Sequence, residues 1–152
     1  MKRDETAAWI CTALMRLGTS MTAEFDRRFQ AEGLTQAQFR TLLAVHALDG
    51  GEGVTPSALA DHLLLERPSV TGIVARLVER GWLVRRPGEN RRSHRLSLSA
   101  AGGALLGGTG PAATRLAVHT RAGLSEAELR GLRRGLELVE ARLRAYTPPE
   151  EN

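Results

Sequence analysis

The chain has 152 residues, of which 42% are hydrophobic and 25% charged, a composition that indicates one folded domain and argues against intrinsic disorder. One cysteine excludes an intrachain disulfide framework, and no apolar run approaches the roughly 18 residues of a membrane span. We therefore expect a cytoplasmic protein with no membrane partner. The net charge is +4, and all of the excess lies in residues 55–99, where eight arginines outnumber four acids. Such segregation predicts an anionic partner, most often nucleic acid, although a solvated arginine-rich surface would look the same.

The first two predicted elements are helices. Residues 7–30 place apolar side chains three and four positions apart, which predicts a long amphipathic helix that ends before Gly33. Thr35 and Gln38 have the spacing of a capping box. A second helix therefore begins there and runs to the glycine-rich turn at 49–53.

The third and fourth predicted helices are short and closely spaced. Thr55 followed by Pro56 is a typical helix start, and Pro68 begins the next helix. The apolar stripe of that fourth helix comprises Val70, Ile73, Val74, Leu77 and Val78. Its opposite face carries small side chains and one arginine: Ser69, Thr71, Gly72, Ala75 and Arg76.

Two strands are predicted next, at 82–86 and 95–99, joined by a turn whose tip is rich in arginine. Ser99 can cap a further helix, but the glycine-rich segment 102–111 argues against the early part of that helix, whereas residues 112–121 have a more helical pattern.

The last predicted helix begins at a capping box of Ser125 and Glu128. Short helix, turn, second helix and hairpin follow one another in the order of a winged helix-turn-helix. The predicted fold class is thus mainly α with a small β-hairpin wing (α+β). The predicted organisation is a single domain over 1–152, with the winged helix-turn-helix at 34–100 and dimerisation helices at 7–30 and 112–145.

This order of elements suits binding to double-stranded DNA. The fourth helix can enter a major groove because its exposed side chains are small or can reach base edges. The hairpin tip would then lie over the adjacent minor groove, where the negative potential favours arginine. The predicted contacts of the fourth helix are Pro68, Ser69, Thr71, Gly72 and Arg76. Those of the wing are Arg86, Arg91, Arg92 and His94.

Four short motifs follow one another in the middle of the chain: Leu59-Ala60, Ser69-Val70-Thr71, LVERGWLVRR at 77–86 and LSAAG at 98–102. In this order and spacing, residues 34–106 resemble the MarR (multiple antibiotic resistance regulator) family. The resemblance implies a homodimeric DNA-binding transcriptional regulator, most often a repressor, that responds to a small aromatic or lipophilic effector or to an oxidant. The family's wing usually carries an aspartate where this chain has Asn90, which implies a weaker anchor for a wing arginine.

Two residues of the first helix are candidates for an effector or redox site. The resemblance places Cys11 where the organic-peroxide-sensing branch has its reactive cysteine, but Met15, Phe25 and Gln36 stand where that branch has tyrosines. No basic residue adjoins Cys11 in sequence to activate the thiol, so a small buried hydrophobe is the favoured interpretation. Trp9 is likewise expected in the core more than in an effector pocket.

Other functions are disfavoured. Arg40 stands where the urate-responsive branch has aspartate, which argues against urate. The four histidines are scattered without ligand spacing, so neither a metal nor another cofactor is expected. No nucleophile elbow, phosphate-binding loop or dinucleotide fingerprint is present, which argues against an enzyme. Two alternatives stay open: a winged-helix module for protein–protein contact without specific DNA binding, and a cysteine-based peroxide sensor. A steep salt dependence of binding to duplex DNA would favour the DNA reader over the protein module.

Overall fold

The computed structural model describes residues 2–89 and 93–146, with side chains from residue 5 onward. Its helices and strands are α1 (Lys2–Phe29), α2 (Gln36–Leu48), α3 (Pro56–Leu63), α4 (Arg67–Glu79), β1 (Leu83–Pro87), β2 (His94–Leu98), α5 (Ala100–Thr120) and α6 (Glu126–Arg144). The predicted fold class, mainly α with a small hairpin, is confirmed. The chain forms two compact units, divided within α5 after Ala113. None of the described helices is long and apolar enough to cross a bilayer.

Side-chain caps begin three helices where the sequence predicts them. The Thr35 hydroxyl accepts a hydrogen bond from the Gln38 N–H at 3.2 Å, and the Gln38 carboxamide accepts one from the Thr35 N–H at 3.0 Å. Ser125 and Glu128 form the same capping box at the start of α6. Thr55 caps α3 by accepting from the N–H three residues later. Each cap satisfies N–H groups that the first helical turn cannot pair internally.

The core of the first unit holds α4 in place. Phe25, Phe29 and Phe39 cluster where α1 meets α2, with the rings of Phe29 and Phe39 only 4.6 Å apart between centroids. Each fully buried apolar side chain of this size stabilises the fold by about 1.5–3 kcal/mol. The largest fully buried residues are Phe29, Thr41, Leu42, Val45, Leu59, Val70, Leu77, Leu83 and Leu96. They come from α1, α2, α3, α4 and the hairpin, so the outer face of α4 is presented on a packed support.

Both strands of the hairpin are displaced by one residue from their predicted ranges. Trp82 is not part of β1 because its N–H donates to the Leu77 carbonyl at 2.9 Å, which closes the end of α4. Ser99 is not part of β2 because its hydroxyl accepts from the Gly102 N–H at 2.9 Å, which begins α5. The strand ends are therefore set by hydrogen bonds of the neighbouring helices.

One backbone pairing besides that of β1 with β2 was not predicted. Val54, just before α3, pairs with Leu96 of β2, and each N–H donates to the other residue's carbonyl at 2.8 Å. The residues that lead into α3 therefore lie along the open edge of β2. As a result, the helix-turn-helix and the wing share one backbone hydrogen-bond network.

The Ser99 cap is present, and α5 runs without interruption through the glycine-rich segment 102–111, against the expectation that glycine would disfavour its early part. Packing explains the difference. Leu105 and Leu106 pack against the core, and Gly102 lies so close to the hairpin that a Cβ would overlap the carbonyl oxygen of Trp82. Tertiary contacts thus outweigh the low helix propensity of glycine, about 1 kcal/mol per residue relative to alanine.

Candidate nucleic-acid interface

The two faces of α4 differ as the sequence predicts. Its apolar stripe contributes three buried side chains to the core, and the predicted contact residues lie on the solvent side. All five of these are exposed: Pro68, Ser69, Thr71, Gly72 and Arg76. The helix begins one residue earlier than predicted, at Arg67 instead of Pro68. Proline is tolerated there because N–H groups of the first turn have no partner within the helix.

A shallow groove of about 280 Å³ separates the exposed face of α4 from the start of α2. Its lining residues are Thr35, Ala37, Gln38, Pro68, Ser69, Gly72, Ile73 and Arg76. Among the described residues, no carboxylate lies within ion-pair distance of Arg76, and in particular neither Asp61 nor Glu79 pairs with it. The Arg76 guanidinium is therefore available to an anionic or hydrogen-bonding partner.

The predicted wing residues fall into two groups. Three residues of the tip lie outside the described part of the chain: Asn90, Arg91 and Arg92. The other two, Arg86 and His94, lie at the end of the paired strands next to the tip, called the base of the wing below. Arg86 is exposed and donates from Nη1 to the carbonyl of Gly51 at 3.5 Å. His94 is half-buried and lines a small cavity of about 120 Å³ between the hairpin and the start of α3.

The turn at residues 49–53, called the 49–53 turn below, is organised by one carboxylate. The Asp49 side chain accepts hydrogen bonds from the N–H groups of Gly53 and Gly51, both at 2.8 Å. These two bonds, with a smaller contribution from the positive charge of Arg86, hold the pKa of Asp49 below its usual range, while burial opposes the effect. The turn therefore carries a fixed negative charge beside the base of the wing.

Arg95 of β2 links this turn to the loop before the wing tip. Its Nη1 donates to the Gly53 carbonyl at 3.2 Å, and its Nη2 forms an ion pair with the Glu89 carboxylate at 3.2 Å. The hairpin register places Arg95 directly opposite Arg86. Two arginines thus stand side by side at the base of the wing, each bonded to a carbonyl of the 49–53 turn.

The favoured interpretation of Trp9 and Cys11 as buried residues is wrong. The Trp9 side chain is 65% exposed, and Cys11 is also exposed. In the described part of the chain, the first part of the apolar face predicted for α1 is uncovered, since Ile10, Leu17 and Met21 are exposed, whereas Phe29 at its end is buried. The error comes from treating an apolar helical stripe as a core stripe of the same chain.

A cavity of about 310 Å³ lies between α1 and α2. It is lined by Gly18, Met21, Thr22, Phe25, Gln36, Phe39, Arg40 and Leu43. Neither Trp9 nor Cys11 is among these residues. Arg40 reaches from this cavity toward the end of α3, where its Nη2 donates to the Leu63 carbonyl at 3.4 Å. The cavity therefore combines apolar walls with one cation.

Sequence reasoning missed three residues that the structure brings to this surface. Arg67 is exposed at the first position of α4, and it was passed over because the helix was started at Pro68. Asp49 and Arg95 were missed because their partners are distant in the chain or are backbone carbonyls. The Asp-Gly-Gly order was a usable signal for Asp49, since aspartate often accepts from N–H groups two residues later in a turn. Among the residues that the structure describes, no cluster of His, Cys, Asp or Glu could hold a metal ion.

Comparisons with known proteins agree with this architecture. The model of the MarR family matches residues 32–93, which span α2 to the wing. MepR of S. aureus, solved as a complex with DNA, superposes with a TM-score of 0.79 at 18% identity, covering 86% of this chain and 94% of that one. BldR of Sulfolobus solfataricus gives 0.81 at 18% identity, covering 93% and 99%. BpsR of Bordetella bronchiseptica gives 0.77 at 23% identity, covering 87% and 98%.

No curated protein sequence is similar enough to this chain to count as a relative. The solved structures share less than 25% identity with it, so they establish the fold. The family model covers the helix-turn-helix and the first strand of the hairpin, and it ends just before β2. On these grounds residues 32–93 are similar to the MarR family, and the chain has the winged helix-turn-helix fold of solved MarR-family transcriptional regulators.

Proposed function

We propose that this protein is a sequence-specific regulator that binds a pseudo-palindromic operator as a homodimer, with α4 of each subunit in a major groove. The observation that carries the proposal is the outer face of α4, where small exposed side chains surround an Arg76 without an acidic partner in the described chain. A free guanidinium can donate two hydrogen bonds to O6 and N7 of guanine. Gly72 allows close approach, because no heavy atom lies within 4 Å of a Cβ built there.

The wing supplies the second set of contacts. Arg91 and Arg92 at its tip enter the minor groove, where arginine is favoured by the negative potential. His94 and the exposed Arg86 lie at the base of the wing and contact phosphates, which fix the register of the protein on the duplex. The superposition on MepR, whose structure contains DNA, supports this docking.

The dimer follows from the apolar faces left uncovered in a single chain. No residue of α6, all of which is described, is buried. Its exposed apolar stripe comprises Leu132, Leu136, Val139 and Leu143. A second copy that covers α6 and the exposed face of α1 would remove this area from water, at about 25 cal/mol per Å². It would also set two copies of α4 at the spacing of successive major grooves, about 34–36 Å.

We further propose that the regulator is a repressor released by a small aromatic or lipophilic ligand. Two structurally similar regulators were solved with, or in relation to, such compounds: BpsR with 6-hydroxynicotinic acid, and RdhR with 2,4-dichlorophenol. In this chain the cavity between α1 and α2 is the proposed ligand site, because its apolar walls suit a ring and Arg40 suits an acidic or phenolic group. Members of the family are regulators without enzymatic activity in general, and we propose the same here.

The test is footprinting on DNA upstream of the protein's own gene, followed by affinity measurements on the protected sequence. Arg76→Ala should weaken operator binding by about 1–3 kcal/mol and relax specificity at one position. Arg133→Ala, which removes an arginine from α6, should leave binding unchanged. A protein–protein module would show no sequence-specific margin at any salt concentration, and that result would overturn the proposal.

The peroxide-sensing alternative is favoured by one observation, the exposure of the Cys11 thiol. An exposed thiol is open to oxidation, whereas a buried one is protected. If peroxide changes operator binding of the wild type but not of Cys11→Ser, the protein is a redox regulator. Equal behaviour of the two proteins would exclude this alternative.

A further inference from the structure

The base of the wing contains two like charges in direct opposition. Arg86 and Arg95 are partners in the antiparallel register, and like charges directly opposite each other in a sheet are destabilising. The arrangement persists because each guanidinium donates to a carbonyl of the 49–53 turn, at 3.5 Å for Arg86 and 3.2 Å for Arg95. The carboxylates of Asp49 and Glu89 add negative charge on either side.

We propose that Arg95 is a positioning residue, which holds the wing in the orientation needed for DNA by bonding Gly53 and Glu89 at once. Arg95, Glu89 and Gly53 are called the wing latch below. The inference rests on the proposed function, because it concerns how the wing of a DNA-binding protein is held. It also separates Arg95 from the arginines that contact DNA.

The geometry of Arg95 supports a structural role. Its side chain is only 26% exposed, whereas that of Glu89 is 86% exposed. Both terminal nitrogens are already used, Nη1 on the Gly53 carbonyl and Nη2 on the Glu89 carboxylate. Because the guanidinium is planar and rigid, fixing both nitrogens fixes the relative position of the two segments that they bind.

Gly53, at one end of the wing latch, is held in place through its backbone. Gly53 has φ +82, and a Cβ on it would lie 2.9 Å from the Cβ of Arg95. Its N–H is held by Asp49, and the next residue, Val54, forms the backbone bridge to Leu96. The Gly53 carbonyl is therefore a fixed acceptor, against which Arg95 can hold the wing.

The Glu89 end replaces an interaction that the family resemblance leads one to expect. Asn90 stands where an aspartate usually anchors a wing arginine, and a neutral amide makes hydrogen bonds about half as strong as a carboxylate does. Glu89, one residue earlier, forms an ion pair with Arg95 instead. The carboxylate is therefore kept at the start of the wing tip, even though it lies close to where DNA phosphates would be.

Because an acid near the DNA phosphates would repel them, the proposal can be tested by the direction in which removal of Glu89 changes operator affinity. If Glu89 were merely an acid near DNA, Glu89→Ala would remove repulsion and tighten operator binding. The wing latch predicts the opposite, a weakening of about twofold to fivefold, the range expected of an exposed ion pair. The matched control is Glu52→Ala, which removes an exposed acid of the 49–53 turn that forms no ion pair in the described chain. It should leave affinity unchanged or slightly tighter.

A second pair of variants tests Arg95 itself. Arg95→Met keeps an unbranched apolar stem but loses both bonds, and it should weaken operator binding about tenfold. Arg95→Lys keeps the charge but is shorter and lacks the planar fork that holds the two acceptors apart, so it should resemble Arg95→Met. If the lysine variant binds as tightly as the wild type, then Arg95 acts as a charge and the inference is wrong.

A comparison of two DNA duplexes distinguishes a positioning role of Arg95 from general damage to the fold. Each variant is measured on the full operator and on a duplex trimmed to end before the flanking minor grooves. The wing latch predicts losses on the full operator only. Equal losses on both duplexes, or a Glu89→Ala that behaves like Glu52→Ala, would overturn the inference. Absence of specific binding by the wild-type protein would instead overturn the proposed function.

Discussion

Gly72 lies in the middle of the exposed face of α4, and a Cβ built on it would meet no heavy atom within 4 Å. Nothing in the folded chain therefore requires a glycine at this position. Glycine inside a helix is less favourable than alanine by roughly 0.5–1 kcal/mol. A glycine at this position is thus better explained by the close approach of a binding partner to this face than by packing within the chain.

We expect Gly72→Ala to raise the free energy of unfolding by about 0.5–1 kcal/mol and to weaken operator binding. The added methyl group would stand between α4 and the base edges. Urea unfolding and titration of operator DNA measure the two effects on the same protein. Gly103→Ala, at an equally open helical position, should stabilise without changing the affinity. A Gly72→Ala variant with unaltered affinity would mean that DNA does not approach this part of α4.

Asp49 gives a prediction about pH. Its pKa is lowered in the folded state, chiefly by the N–H groups of Gly53 and Gly51. A depressed pKa means that the charged carboxylate stabilises the fold at pH values above the unfolded-state pKa of about 3.9. That stabilisation is lost as the pH falls below this value through the lower folded-state pKa.

Asp49→Asn should therefore destabilise the protein at pH 7, and the difference from wild type should shrink as the pH approaches about 3. Urea unfolding at pH 7, 5, 4 and 3 measures it. Asparagine still offers an oxygen to the two glycine N–H groups, so the variant removes mainly the charge. Glu52→Gln in the same turn should show little difference at any pH. A difference for Asp49→Asn that did not change with pH would contradict the assignment.

Some residues could not be predicted from the sequence, for physical reasons. Leu64 adopts a left-handed conformation, φ 55, between α3 and α4, where glycine or asparagine is the usual choice. A leucine carries no local signal for such a turn. Trp9 and Cys11 were misplaced because burial depends on which surfaces meet, and an apolar pattern does not say whether the partner is the same chain. By contrast, the exposure of Arg76 followed directly from the helical period of α4.

Among the elements, α5 differs most from its prediction, and two adjacent glycines explain how it forms. A Cβ on Gly102 would overlap the Trp82 carbonyl, whereas Gly103 has no neighbour within 4 Å. Gly102 therefore allows the first turn of α5 to pack directly on the hairpin. Gly103 makes no comparable contact.

We expect Gly102→Ala to destabilise the fold by about 1–3 kcal/mol, the usual effect of forcing atoms into a packed site. Gly103→Ala should stabilise it by about 0.5–1 kcal/mol through helix propensity. Thermal or urea unfolding of the two variants is a direct comparison, because the substitution and the helix are the same. Similar effects at both positions would show that the first turn of α5 does not pack against the Trp82 carbonyl as described.

The other elements show where local sequence is sufficient. The capping boxes at Thr35 and Ser125 set the starts of α2 and α6 correctly, because capping uses residues three apart in the chain. The bridge between Val54 and Leu96 joins residues far apart in the chain, and no local pattern marks it. The candidate surface was predicted only in part. The exposed residues of α4 followed from helical periodicity, whereas the bonds of Arg95 depend on tertiary contacts that no local pattern marks.

For the whole molecule, the exposed stripe of α6 predicts an assembly. Leu136→Arg places a charge in the centre of that stripe, so it should convert a dimer to a monomer and abolish tight operator binding. Leu138→Arg is the matched control, since Leu138 is also exposed on α6 but points away from the stripe. Sedimentation velocity at micromolar concentration distinguishes the two species.

If Leu136→Arg and Leu138→Arg sedimented alike, α6 would not form the contact between subunits. A wild-type protein that is monomeric would have the same consequence. Either result would leave the operator to be bound by single subunits, and a palindromic footprint would then be unexpected.

The bridge between Val54 and Leu96 also has a consequence for the operator. Because it fastens the approach to α3 onto the edge of the wing, α4 and the hairpin move as one body. The base pairs that α4 reads and the minor groove that the wing enters are then held at a constant separation along the duplex. Each base pair adds about 3.4 Å to that separation and rotates the groove. Operators of this regulator should thus vary in base identity between the two contact points while the number of base pairs between them stays constant.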